Sequence, residues 1–349
     1  MSTQDQDLER YLDEYDYYES LFDPTQAGRI GRRRKPRKQP KKKRAQWDIA
    51  SELGDVVGLE GGFQTTYTPA QYEEGWLLSS MRTFYDESLI TDILSKVKGG
   101  KEANVYCCQA HPSTGTDLLA AKVYRPRQFR NLRNDKMYRE GRQILLAPGH
   151  AVHANEHRII RALQKNTAFG WQVRHTSWLM HEYTTLETLY RAGAAVPQPF
   201  SFSDNAILMA YIGDKKVSAP TLHQIRLTQD QAAHFFNQVL RNVEIMLRQE
   251  LIHGDLSAYN ILYWEDDITL IDFPQVVNYQ ANRDAYPILQ RDLKRICDYF
   301  SRQGLSCDGS ILADQLWHRY ATPDPRIAAA ETYELIRQEL EQESAAGEP

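Results

Sequence analysis

The spacing of apolar residues predicts strands in the first part of the chain. Residues 103–109 and 117–124 are rich in β-forming side chains and flank a turn that contains Pro, Ser and Gly, which predicts a β-hairpin. Ahead of this hairpin, the apolar residues between 89 and 94 recur at helical spacing, and the glycines at 99 and 100 are expected to end that helix.

Helical patterns dominate the rest of the chain. Residues 178–192 have helical spacing, and a short apolar strand follows at 206–212. Thr228 and Gln231 form a capping box, which marks the start of a helix whose apolar face continues to Leu251. The remaining predicted elements are two short strands at 261–264 and 268–272, joined by a turn, and helices at 286–302, 309–320 and 325–342. This order favours an α+β fold with a β-rich N-lobe and a helical C-lobe over a repeating βαβ sheet.

Composition limits the class of protein. Hydrophobic residues make up 42% of the 349 residues and charged residues 25%, which excludes a wholly disordered chain, a collagen-like chain and a membrane bundle. No apolar run approaches about 18 residues and the N-terminus is acidic, so we expect neither a membrane span nor a signal peptide. The four cysteines form no C-x-x-C pair, which indicates free thiols in a reducing compartment. We therefore expect a cytoplasmic protein.

Charge is strongly segregated near the N-terminus. Residues 1–23 contain eight acidic residues and one basic residue, whereas residues 29–44 contain eleven lysines and arginines and no acidic residue. Because like charges this dense repel one another, we expect residues 1–44 to be a disordered tail. The basic block either binds the ribosome, RNA or another polyanion through phosphate contacts, or is a solubilising tail that folds back on the acidic segment.

The strongest chemical signal is a set of polar residues in the second half of the chain. His253, Asp255 and Asn260 form the pattern H-x-D-x-x-x-x-N, and Asp272-Phe follows at the end of a predicted strand. Phosphoryl transfer needs a carboxylate near the attacking hydroxyl, which Asp255 can supply, and oxygen ligands for Mg²⁺, which Asn260 and Asp272 can supply. The spacing matches the protein-kinase pattern, with Gly254 in place of its Arg. The alternative is that the two aspartates merely cap turns.

Two features upstream fit the same chemistry. Lys122 is the one charged residue in an apolar predicted strand, where it either extends from the edge of the core or binds a phosphate. Glu182 lies on the inner face of the following helix, so it can form the ion pair that holds Lys122 toward a nucleotide. The glycines at 99 and 100, one hairpin before Lys122, allow backbone amides to approach a phosphate.

Residues from about 89 to 320 resemble the RIO family of atypical serine/threonine protein kinases. The matching segments are GKEANVY (100–106), AAKVY (120–124), a W-x-x-x-E helix (178–182), AGAAVPQPF (192–200), ILMAYIG (207–213), APTL (219–222), HGDLSAYNILY (253–263) and IDFPQ (271–275). The resemblance implies a truncated two-lobed protein-kinase fold, the use of ATP and Mg²⁺, and serine autophosphorylation. No winged-helix pattern is recognised ahead of the kinase core, which favours the subtype without that domain.

The resemblance also implies roles for individual residues. Asp255 would accept the proton of the substrate hydroxyl, and Asn260 and Asp272 would hold the metal. Asp272 would be transiently phosphorylated if the protein worked as an ATPase switch. The implied ATP-binding residues are Lys101, Lys122 and Glu182 around the phosphates and Met209, Tyr211 and Ile212 around the adenine.

The predicted organisation has five segments, and two other functions stay open. The segments are an acidic then basic tail (1–44), an N-terminal extension of unassigned structure (45–85), a kinase N-lobe (86–212), a kinase C-lobe (213–322) and a C-terminal helix and tail (323–349). A small-molecule phosphotransferase of the aminoglycoside type also uses H-G-D-x-x-x-x-N followed by I-D. A ribosome- or RNA-associated assembly factor gated by ATP would account for the basic block.

Overall fold

The computed structural model describes the central part of the chain. The described residues are 65–100, 103–124, 145–146, 150–151, 159, 161 and 168–321. Three predictions lie outside these residues: the disordered tail at 1–44, the role of Lys101 and the helix at 325–342.

Antiparallel strands predominate in the first half of the described structure, and four short strands follow in the second half. The strands, numbered in chain order, are β1 (Ile90–Gly99), β2 (Ala103–Ala110), β3 (Leu118–Tyr124), β4 (Leu145–Leu146), β5 (His150–Ala151), β6 (Pro199–Phe202), β7 (Ala206–Ala210), β8 (Leu251–Ile252), β9 (Ile261–Trp264), β10 (Asp267–Leu270) and β11 (Val277–Asn278). Five of them make one sheet in the order β1-β2-β3-β7-β6, and three two-stranded ribbons pair β4 with β5, β8 with β11 and β9 with β10. The predicted hairpins β2–β3 and β9–β10 are confirmed.

Two helices contact the five-stranded sheet, and helices form most of the second half. The helices are α1 (Gln71–Asp86) and α2 (Ala168–Arg191), which contact the sheet, and α3 (Gln229–Arg248), α4 (Ala285–Arg302) and α5 (Gly309–Tyr320). The capping box of Thr228 and Gln231 starts α3 as predicted. The helix ends before Leu251 because Glu250 has a left-handed φ of 60°, after which the chain enters β8. The α+β fold class is thus confirmed. Within the described ranges, no helix combines the length and the apolar character that crossing a membrane requires.

The helix predicted over residues 89–94 is wrong, because β1 is an irregular strand. Its pairing with β2 shifts register between Ile90 and Asp92, between Ile93 and Ser95, and again farther along. Each such bulge adds one residue to the strand, so apolar residues three positions apart face the same side. Ile90 and Ile93 are consequently both buried in the core, and their spacing imitates a helix.

Two hydrophobic clusters pack on opposite faces of the sheet. On the outer face, α1 buries Leu77, Met81 and Phe84, which recur at helical spacing, against residues of the sheet strands. Burial of a large apolar side chain stabilises a fold by roughly 1.5–3 kcal/mol. This part of the N-terminal extension therefore belongs to the packed structure. The larger cluster joins the inner face to the apolar sides of α2, α3 and α4.

Candidate active site

Lys122 lies at the centre of the charged cluster on the inner face of the sheet. Its Nζ atom is 2.6 Å from Glu182 Oε1 on α2 and 2.5 Å from Asp272 Oδ1, two residues beyond the end of β10. Burial alone would lower the pKa of Lys122, but the two carboxylates raise it well above its ordinary value. The structure therefore brings together three residues that are 60 and 150 positions apart.

Tyr124 supports Glu182 from the same strand as Lys122. Its hydroxyl donates a hydrogen bond to Glu182 Oε2, so both carboxylate oxygens have a donor. Trp178, one turn before Glu182, packs its ring edge-on against Tyr124 with centroids 4.6 Å apart. Because Glu182 is 3% exposed, these contacts fix a carboxylate that would be costly to bury alone. Period-two alternation along β3 already places Tyr124 on the face of Lys122, which is the signal that sequence reasoning overlooked.

Asp255 is held through both of its carboxylate oxygens. Oδ1 lies 2.8 Å from Arg295 Nη1 on α4, and Oδ2 accepts a hydrogen bond of 3.1 Å from Asn260 Nδ2. Burial raises the pKa of Asp255 to about 6, although the Arg295 cation opposes that change. Sequence reasoning missed Arg295, because nothing in the local pattern connects residue 295 with residue 255.

His253 and its neighbours set the shape of the loop that carries Asp255. The buried imidazole lies 3.2 Å from the carbonyl of Ile271 through Nε2 and accepts from the Asp255 amide at 3.3 Å through Nδ1. Burial lowers the pKa of His253, which keeps the ring neutral in this bracing position. These two contacts brace the loop that carries Asp255.

Gly254 explains why this chain departs from the H-R-D form of the kinase pattern. Its φ is +83°, and a Cβ placed there would lie 2.1 Å from the backbone oxygen of Gln275. Only glycine fits such a conformation and such a close approach. Asp292 Oδ2 accepts from the Gly254 amide at 2.8 Å, and the Arg291 guanidinium donates to the Gly254 carbonyl.

Asn260 directly precedes β9 and Asp272 follows β10, so the two residues lie at the same end of this ribbon. The backbone carbonyl of Asn260 accepts from the amide of Ile271 at 3.0 Å, which joins the two loops next to Asp272. Asp272 has a left-handed φ of 73°, which turns its carboxylate out of the path of β10 and toward Lys122. In the part of the chain that the structure describes, no group of three or more His, Cys, Asp or Glu residues could hold a metal.

Of the three residues predicted around the adenine, Met209 lies on the sheet face of Lys122. Met209 pairs with Ala120 across the β3–β7 ladder, one alternate position from Lys122. Tyr211 and Ile212 come directly after β7, and the Ile212 carbonyl accepts from the amide of Ala219 at 3.0 Å. The position of Met209 is compatible with the predicted adenine pocket, which stays a prediction.

Comparison with known proteins shows which family the chain belongs to. The model of the RIO domain matches residues 136–311, half of the chain. The chain belongs to the RIO domain family. The family predicted from the sequence motifs is thus confirmed, whereas the subtype without a winged helix stays a prediction.

Several RIO relatives share moderate identity with the chain. The RIO-type serine/threonine-protein kinase Rio1 of Haloferax volcanii is 31% identical over 219 residues, which cover 62% of this chain and 66% of that protein. The serine/threonine-protein kinase RIO1 of Chaetomium thermophilum is 26% identical over 248 residues, covering 68% of this chain and 44% of that protein. The chain thus spans slightly under two thirds of the first relative and less than half of the second.

A solved RIO structure overlaps with the chain only loosely. The crystal structure of the Rio2 kinase–ADP/Mg²⁺–phosphoaspartate complex from Chaetomium thermophilum has a TM-score of 0.48 and 17% sequence identity, with 85% of each chain covered.

Proposed function

We propose that this protein transfers the γ-phosphoryl group of ATP to serine or threonine residues of proteins, itself included. One observation carries the proposal: Lys122 Nζ lies within 2.6 Å of both Glu182 and Asp272. A kinase needs the lysine–glutamate pair and the metal-binding aspartate in place at the same time. Membership of the RIO domain family favours a protein substrate over the small-molecule substrates of an aminoglycoside-type enzyme.

Asp255 would act as the proton acceptor in the proposed reaction. The acceptor hydroxyl oxygen forms a bond to the γ-phosphorus while the bond from that phosphorus to the bridging oxygen of ADP breaks. The hydroxyl proton passes to Asp255, whose carboxylate is held by Arg295 and Asn260. Lys122 would bind oxygen atoms of the phosphates that leave with ADP.

Asn260 and Asp272 would hold the Mg²⁺ ion. Asn260 directs its Nδ2 atom at Asp255, which leaves Oδ1 as the atom that can face a metal. One amide oxygen and one carboxylate suit Mg²⁺, which keeps waters and phosphate oxygens as its other ligands. When bound, the ion would neutralise charge on the transferred phosphate. The remaining ATP contacts in this proposal are Lys101 at the phosphates and Met209, Tyr211 and Ile212 at the adenine.

The test is incubation of the full chain with γ-labelled ATP and Mg²⁺, with and without a generic protein substrate. Asp255→Asn should lower labelling by about 10²–10³-fold while ATP binding stays near the wild-type value. Asp298→Asn is the matched control, because Asp298 is exposed on α4, the helix that carries Arg295. Wild-type turnover in Asp255→Asn would contradict the role of Asp255, and a wild-type protein that transfers no label would contradict the proposal.

The chemical stability of the label separates protein kinase activity from an ATPase switch. Acid-stable phosphoserine or phosphothreonine would support transfer to a hydroxyl. An acid-labile label that disappears in Asp272→Asn would instead support transient phosphorylation of Asp272. The close contact between Asp272 and Lys122 motivates this second outcome, since it places the carboxylate beside the proposed phosphate site.

The basic block supports a separate proposal about partners. We propose that residues 29–44 bind ribosomal particles or RNA, since eleven positive charges without an acidic residue favour phosphate contacts. Replacing these lysines and arginines with glutamine should abolish co-sedimentation with ribosomal particles at low salt; unchanged sedimentation would contradict it. We also propose a cytoplasmic location, which the four free cysteines support.

A further inference from the structure

The last residues of β1 include two lysines, which lie on opposite faces of the sheet. Lys96 pairs with Tyr106 and Lys98 with Val105, and the register shift between the two pairs marks a bulge. Lys96 Nζ lies 3.1 Å from Glu73 Oε1 on α1, so its side chain points to the outer face. A regular strand would have put both lysines on that face, because residues two positions apart point the same way.

Lys98 instead belongs to the row of residues that contains Lys122. Val105 is the partner of Lys98 in the β1–β2 ladder and of Lys122 in the β2–β3 ladder. Directly paired residues in antiparallel strands project from the same face. Lys98 and Lys122 are therefore two strands apart, about 10 Å, on the face that looks onto Asp272. The Lys98 side chain is exposed, as a residue lining an open cleft would be.

The described charges around Lys122 do not supply enough positive charge to bind a triphosphate. Lys122 contacts two carboxylates, so this trio carries a net negative charge. Lys98 lies on the same face of the sheet as Lys122, so its positive charge is on the side where the phosphates of ATP are proposed to bind.

We propose that Lys98 is a second phosphate-binding cation, which contacts the triphosphate of ATP from the β1–β2 hairpin. The inference rests on the proposed ATP-dependent function. It adds a residue to the proposed site, because the predicted set of ATP-binding residues names Lys101 in this loop and omits Lys98. The bulge in β1 is what gives Lys98 this position.

The test is titration of the full chain with MgATP by calorimetry. Lys98→Gln should weaken MgATP binding about tenfold, because a charge-assisted contact to phosphate is lost. Lys96→Gln is the matched control: the residue type and the strand are the same, but the side chain faces Glu73. Lys98→Arg should stay within about twofold of the wild type, since the positive charge is kept. The melting temperature of each unliganded variant checks that the fold is intact.

The outcomes separate this inference from the proposed function. Equal MgATP affinity in Lys98→Gln and wild type would overturn the inference and leave the function standing. Equal losses in Lys96→Gln and Lys98→Gln would also overturn it, because the cause would then be the hairpin and not a phosphate contact. Equal losses in Lys98→Arg and Lys98→Gln would show that the charge is not responsible. A wild-type protein that binds no MgATP would overturn both.

Discussion

Arg295 on α4 holds the carboxylate of Asp255 at 2.8 Å, across 40 residues of sequence. The proposed proton acceptor is thus tied to a helix of the C-terminal core and not only to its own loop. Asn260, five residues after Asp255, occupies the other carboxylate oxygen. The pair fixes the direction of the carboxylate while burial keeps its affinity for a proton high.

The first prediction concerns the pH dependence of phosphoryl transfer. Proton acceptance requires ionised Asp255, and burial raises its pKa to about 6, so kcat/KM should rise with pH up to about 6 and level off above it. Arg295→Met removes the cation that opposes the raised pKa, so the rise should move to higher pH. Arg302→Met, on the exposed side of α4, should leave the profile unchanged. If the pH profile of Arg295→Met matched that of the wild type, Arg295 would not control the pKa of the group on which transfer depends.

The second prediction concerns the hydrogen bond between Tyr124 and Glu182. Tyr124→Phe leaves one oxygen of a buried carboxylate without this donor, which should cost roughly 1.5–3 kcal/mol of stability. The KM for ATP should also rise several-fold, because Glu182 then holds Lys122 less firmly. Denaturant unfolding and steady-state kinetics measure the two effects. Tyr190→Phe, on the exposed side of α2, is the control and should change neither value.

The third prediction concerns the backbone at Gly254. Gly254→Ala should destabilise the fold and abolish activity for two reasons. The new Cβ would clash with the Gln275 carbonyl, and alanine disfavours the left-handed φ of this position. Gly115→Ala is the matched control: its φ is +71°, but nothing lies within 4 Å of the added carbon. That variant should lose only about 1–2 kcal/mol, the cost of the left-handed conformation. Equal losses in thermal unfolding for the two variants would contradict the clash.

The fourth prediction concerns Glu73, which joins α1 to the sheet. Its carboxylate is 2% exposed and accepts hydrogen bonds from Tyr106, Asn104 and Lys96. Burial alone would raise the pKa of Glu73, but these contacts, led by the Tyr106 hydroxyl, lower it below its ordinary 4.5. A carboxyl with a lowered pKa stabilises the fold above pH 4.5, and this stabilisation is lost as the pH falls through the folded-state pKa.

The measurement is the melting temperature between pH 7 and pH 3. Glu73→Gln should be less stable than the wild type at pH 7, by roughly 1.5–3 kcal/mol. The gap should narrow as the pH falls below 4.5, since the wild-type carboxylate becomes protonated. Glu74→Gln, at the neighbouring exposed position, should follow the wild-type curve. A gap that stays constant with pH would contradict the ionised state of Glu73.

Local patterns in the sequence determined a helix start, two hairpins and one ion pair of the candidate site. The capping box at Thr228, the two-residue turn before β10 and the hairpin β2–β3 depend on neighbouring residues, so their spacing alone indicates them. The inward face of Glu182 likewise indicated that this residue would meet Lys122. Each of these signals has a short range along the chain.

Only the tertiary structure decided the rest, because the deciding contacts join residues far apart in sequence. The pairing of β1 with β2 introduces bulges, which turn an apparent helical period into a strand and send Lys96 and Lys98 to opposite faces. Arg295 reaches Asp255 only after α4 packs behind the loop, so no local spacing could indicate that contact. The register of a ladder and the packing of a helix depend on the partner element, and their consequences for charge appear only when the chain is folded.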